Sequence, residues 1–179
     1  ASFGNWKFDG DANGNYQETE YNSEGQAIGY TTTEYAYALD GLYVGDMPQT
    51  SYVLGVTLKP IKDLRIQAIH KMYDKNYSDW SPSAREFDGT NDDADRAQVW
   101  EAPSYNRLDL HMSYKLPKVK DLDMMLTANI FNVLDEVYVQ DAVDNSQYNG
   151  YGSKNHLPHN AEVFLGTPRY ANIGLSIGF

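Results

Sequence analysis

From Arg107 to Leu116 the chain alternates without a fault. Leu108, Leu110, Met112, Tyr114 and Leu116 hold the even positions, and Arg107, Asp109, His111, Ser113 and Lys115 the odd ones. Successive side chains of a strand point to opposite faces, so this run is a strand with one apolar and one charged face. A helix would scatter the same leucines around its circumference, with Asp109 and His111 among them. The end of the chain repeats the pattern: Ala171, Ile173, Leu175, Ile177 and Phe179 alternate with Asn172, Gly174, Ser176 and Gly178.

Other segments follow the same period with interruptions. Tyr52, Leu54, Val56 and Leu58 share a face, as do Leu64, Ile66, Ala68 and Met72, with His70 as the exception. From Leu122 to Leu134 the even face is apolar except at Asn132. Near the start, Trp6 to Gln17 alternates, and residues 27 to 40 read as a further strand, giving about seven strands in all. Two of these segments are alike. Residues 51 to 73 read strand, Lys-Pro-Ile-Lys-Asp, strand, and residues 107 to 134 read strand, Leu-Pro-Lys-Val-Lys-Asp, strand. Each predicts a hairpin with a short basic turn, with Pro60 and Pro117 where no ladder donor is needed. The connections 74–104 and 135–169 are long and polar, a length that in an ordered domain usually serves function.

Alternation shows that one face is apolar, not what covers it, and two all-β architectures satisfy it. In a soluble β-sandwich the apolar face packs on a second sheet. In a transmembrane β-barrel it faces lipid. Three features favour the barrel. The strands approach the ~9 to 11 residues that cross a bilayer at a tilt. Tyr52, Tyr73, Tyr114 and Phe179 lie near strand ends, as interfacial aromatics do. Short turns alternate with long loops. A mean hydropathy of -0.60 is compatible with this, because a barrel strand exposes only every second residue to lipid.

Composition removes other classes. The 179 residues carry 25 acidic and 14 basic side chains, a net charge of -11, which opposes a phosphate backbone and excludes nucleic acid as a partner. There is no cysteine, hence no disulfide, thiolate zinc site or cysteine nucleophile. No apolar run approaches the ~20 residues of a membrane-spanning helix.

Several segments also resemble one family. Asn129-Ile130-Phe131-Asn132-Val133-Leu134-Asp135-Glu136-Val137-Tyr138 resembles the penultimate strand and following loop of TonB-dependent outer-membrane receptors. Gly166-Thr167-Pro168-Arg169-Tyr170, with the alternating strand to Phe179, resembles their C-terminus. Gly4-Asn5-Trp6-Lys7, the run Gly41 to Thr50, and Pro103-Ser104-Tyr105 with Asp109 are similar to the SusC/RagA branch. The resemblance implies a 22-stranded barrel with a plug in its lumen, in the outer membrane of a Gram-negative bacterium. Residues 1–179 would be the C-terminal portion of the barrel domain, without the plug, since about seven strands fall short of the ~8 of the smallest closed bacterial barrels. It implies active import of a glycan or peptide, with the rest of the barrel and plug, the TonB complex, a SusD-like surface lipoprotein and outer-membrane lipid as partners. It implies no enzymatic step and no cofactor. Phe179 would serve barrel assembly. The alternative is a soluble β-sandwich carbohydrate-binding module that uses Trp80 and Trp100.

Candidate ligand contacts are the loop aromatics Trp80, Trp100, Tyr105, Tyr148 and Tyr151, whose flat faces among polar groups suit glycan or peptide. Arg107 and Asp109 join them as lumen residues. Packing of loop on loop is the competing use of each aromatic. Asp9, Asp11, Asn13 and Glu20 have the spacing of an EF-hand calcium loop, but no helices flank them and the same residues alternate as a strand. The cluster Asp88, Asp92, Asp93 and Asp95 reads as a solvated loop face, and His156 and His159 as ordinary loop histidines without a third metal ligand nearby. No strained turn singles out a serine nucleophile.

Overall fold

The computed structural model describes residues 1–88, 94–144 and 156–179. The chain is all-β, 59% strand and 4% helix. In the first half run β1 (Ser2–Phe3), β2 (Ala12–Tyr21), β3 (Ala27–Tyr37), β4 (Thr50–Leu58) and β5 (Leu64–Asp74). Short pieces follow: β6 (Asn76–Tyr77), β7 (Asp79–Trp80), the one-turn helix Pro82–Arg85, β8 (Glu86–Phe87) and β9 (Glu101–Ala102). Then come β10 (Tyr105–Lys115), β11 (Asp123–Phe131), β12 (Val139–Asp144), a 3-10 turn at Pro158–Asn160, β13 (Ala161–Leu165) and β14 (Tyr170–Gly178).

The principal sheet has the order β1-β4-β5-β10-β11-β14, antiparallel throughout and open, with β1 and β14 as its edges. Both expected hairpins, β4–β5 and β10–β11, are present. Their short turns lie at one end of the sheet; the connections 4–49, 75–104 and 132–169 all leave from the other.

Register explains why alternation dominates the sequence. Val56, Ala68, Leu110, Ile130 and Ala171 stand in one row across five strands, and Leu58, Ile66, Met112, Ala128 and Ile173 in the next. A slip of one residue in any strand would send its whole apolar set to the opposite face. The rows build one continuous apolar surface. Among the described residues the substantial element-to-element contacts are all between hydrogen-bonded neighbours, and much of this surface stays open to the outside. Leu54 is 67% exposed, Leu58 60% and Ile173 79%. The buried residues lie instead mainly in the connections at the loop end, among them Leu39, Leu42, Tyr77, Ala84, Val99 and Tyr138.

The structure corrects three expectations. The run Trp6 to Gln17 is not one strand, because Gly10 adopts φ +92°, a left-handed turn that an extended chain cannot contain. Residues 4–8 are tied to 42–49 through Gly4 N–H to the Gln49 carbonyl, Phe8 N–H to Leu42 and Val44 N–H to Trp6. β2 and β3 therefore leave the principal sheet and form a separate three-stranded sheet with β8. All of the about seven expected strands are present, but they do not share one sheet: five stand in the principal sheet with the two-residue β1, and β2 and β3 stand apart. Finally, the strand expected to reach Leu134 stops at Phe131, where Asn132 turns to φ +50°.

Candidate functional site

The polar face of the principal sheet carries a ladder of side chains. His111 Nδ1 lies 2.8 Å from Asn129 Oδ1, and Asn129 Nδ2 donates to Asn172 Oδ1 at 2.8 Å. These join β10, β11 and β14 beside a pocket of about 220 Å³ that Arg65, Gln67 and Ser113 also line. Toward the loop end, Lys71 Nζ donates to Asp109 Oδ2 at 3.1 Å, Arg107 lies 3.7 Å from Asp109 Oδ1, and the Asn132 N–H donates to the same Oδ1 at 3.0 Å. Asp109 is 1% exposed. One buried carboxylate thus sits against two cations and closes the end of β11, contacts that offset the cost of its desolvation.

Above it stands a wall of tyrosines. Tyr105 stacks on Tyr138 at 4.3 Å and tilts against Tyr73 at 5.0 Å, while the Arg107 guanidinium lies 5.6 Å over the Tyr138 ring. With Asp46 and Asp141 they enclose a concave cleft of about 490 Å³. Burial pushes the Asp46 carboxyl above its ordinary range, and the charges of Asp79 and Asp141 push the same way. The cleft offers phenol faces, a guanidinium and carboxylates, a set suited to stacking on and hydrogen-bonding a polar ligand.

Two chain segments far apart in sequence hold this wall. Asn132 Nδ2 donates to the carbonyls of Glu136 and Thr167, at 3.0 and 3.2 Å, and Arg169 reaches Asp135 and the Val133 carbonyl. The Gly166 N–H donates to the Tyr138 carbonyl at 2.9 Å, and the Tyr138 ring lies so close that a Cβ on Gly166 would fall 1.9 Å from it. Gly166→Ala is therefore expected to push Tyr138 off Tyr105. The cost should be about 1 to 3 kcal/mol, as for other overpacked sites. Urea unfolding of the variant, followed by tyrosine fluorescence, checks it; a wild-type midpoint would contradict the contact.

The loops are joined to one another by a buried ion cluster. Arg85, fully buried, donates from Nη1 to the carbonyls of Asp95 and Ala97 at 2.9 and 2.7 Å and sits 3.6 Å from carboxylate oxygens of Asp95 and Asp144. His156 Nε2 lies 2.9 Å from an Asp95 carboxylate oxygen, and its Nδ1 is bonded to Asp144. No metal-binding cluster occurs among the described residues. The bond to Asp144, then that to Asp95, raises the His156 pKa above 6.5, against opposition from burial and Arg85. A raised folded pKa means the contribution to stability is full below the unfolded value of 6.5 and is lost as pH rises through the folded value. Amide exchange in 94–97 and 141–144 should accelerate with pH beyond the chemical rate, and His156→Gln should abolish that excess; identical protection profiles would contradict it.

Among the other sequence candidates, Tyr105, Arg107 and Asp109 are brought together at the cleft. Trp80 is placed for loop packing, 5.5 Å from Tyr37 and 6.3 Å from Phe8, and Trp100 accepts the Ser78 N–H through its carbonyl. Tyr148, Tyr151, Asp92 and Asp93 lie outside the described residues. Phe179 is fully exposed beyond β14. The calcium candidates are not assembled. Asp11 gives both oxygens to Arg96 at 2.9 and 2.7 Å and also accepts the N–H groups of Leu39 and Asp40, which with Arg96 hold its carboxyl well below the usual carboxylate range. Glu20, nine residues along, is about 30 Å away at strand rise, so one ion cannot reach both. Asp95, expected as a solvated loop acid, and His156, expected as an ordinary loop histidine, belong instead to the buried cluster. Sequence reading missed Asp46, Gln140 and Asp141 in the cleft; none belongs to an alternating run, and only the fold brings them to Arg107.

An open antiparallel sheet with one bare apolar face, one polar face and a loop-built cleft at a single end defines the chain's structural class. Comparison with protein-family models, with curated proteins and with solved structures gave no match.

Proposed function

We propose that this chain is part of the wall and mouth of an outer-membrane β-barrel that imports a glycan or peptide, of the TonB-dependent, SusC/RagA-like kind. The observation that carries the reading is the apolar face, aligned row by row across five strands and left uncovered. In water such a surface is an aggregation or docking liability; in a bilayer it is the required exterior. The single-ended loops and the polar ladder on the opposite face support the same assignment. Both sheet edges would pair with further strands, since lipid tolerates no open edge. A sandwich would need a second sheet over the bare face, and the described residues supply none.

The segments that resemble the family meet in space: 4–8 with 42–49, and 129–138 with 166–170. On this reading they are the seams that fix loops to wall, and the cleft of Tyr105, Tyr138, Arg107, Asp46 and Asp141 contributes to ligand capture. Arg107→Ala is expected to lower uptake with little loss of protein in the membrane; unchanged uptake would remove Arg107 from the ligand path.

Single cysteines test the wall, and the chain supplies none of its own. In membranes, cysteine at 54, 110 or 173 should resist a water-soluble maleimide, whereas cysteine at 67, 113 or 172 should react. Reaction at the first three positions would sink the proposal.

A further inference from the structure

We propose that the β2–β3 arm is a docking surface for a partner protein with a basic face. The two strands pair from Ala12↔Tyr37 to Tyr21↔Ala27, a ribbon about 30 Å long at strand rise. Its base is held by β8, which pairs with Ala36 and Tyr37, and by Arg96 on Asp11. Beyond the base none of the described residues covers it: residues 15–21 and 27–34 are all exposed. A two-stranded ribbon alone is marginally stable in water. This one also displays Tyr21, Ile28 and Tyr30 near its tip, each 63 to 66% exposed.

Charge selects the occupant. Between Lys7 and Lys59 the chain has no Lys or Arg, and the arm carries Glu18, Glu20, Glu24 and Glu34. A second copy of the chain would bring the same charges, and lipid phosphates would also be repelled. A partner rich in Lys and Arg gains twice, from the carboxylates and from the exposed tyrosine rings, which attract cations to their faces. Exposed aromatics within a charged rim are the composition of a protein interface. The inference stands apart from the importer reading, because the arm and its charge are the same in either compartment.

The test places p-benzoylphenylalanine at position 30, in place of Tyr30, in the full-length protein in its native cells, with irradiation and sequencing of the crosslinked peptide. The expected product joins the arm to a different protein through a Lys/Arg-rich peptide. Its yield should fall at least about fivefold in the E18Q/E20Q/E34Q variant, at equal amounts of folded protein, and at ~1 M salt, where charges are screened within ~3 Å. No adduct, an adduct to a second copy or to lipid, or a yield indifferent to both charge and salt would overturn the proposal. Cysteine labelling of the wall reports on the importer reading separately, so the two can fail independently.

Discussion

On the proposed barrel-wall reading, Leu110→Arg is expected to destabilise the protein in a bilayer by about 2 to 4 kcal/mol, the cost of a cation on the lipid face near the midplane of a barrel. Leu110 stands at the centre of the bare face, between Ala68 and Ile130. The size of the effect carries the information. If the sheet faced water, the arginine would sit on an open surface and cost within about 0.5 kcal/mol, as surface substitutions do. Urea-dependent folding into lipid vesicles measures the difference. An odd position of the same strand gives the control: Ser113→Arg, on the polar face, should cost far less.

Asp109→Ala should be comparably severe for a different reason. It leaves Lys71 and Arg107 as adjacent cations without a counter-charge and the Asn132 N–H without its acceptor. Removing one partner of a fully buried ion pair costs ~3 to 5 kcal/mol. Lys71 and Arg107 keep 29% and 22% of their side chains exposed, so about 2 to 3 kcal/mol is expected here. Asp109→Asn keeps an oxygen for Asn132 and should recover part of the loss. If both variants unfold at the wild-type urea concentration, Asp109 is not the keystone that its contacts describe.

The principal sheet was legible in the sequence, and the cleft only partly. Alternation located β4, β5, β10, β11 and β14, because period two survives wherever a strand has two unlike faces. It failed at Trp6 to Gln17, where a left-handed glycine sits inside a run that still alternates by residue type. Asn132 looked like a blemish in an apolar face. It is the residue that ends the strand and binds the next segment, with 0% exposure and three side-chain hydrogen bonds. Arg107 and Asp109 could be singled out because charge on one face of a strand must meet something polar. Asp46 and Asp141 could not, since each lies in a connection whose path only tertiary contacts decide. The buried Arg85 cluster was hidden for the same reason, as its members come from 85, 95, 144 and 156.

The most direct test of the barrel-wall account is the denatured intact mass of the polypeptide that carries this chain, taken separately from outer membranes and from the soluble fraction. The account predicts a species several times 20.2 kDa in the outer membrane, long enough to supply the strands that pair with β1 and β14. A folded, soluble species of 20.2 kDa would contradict it.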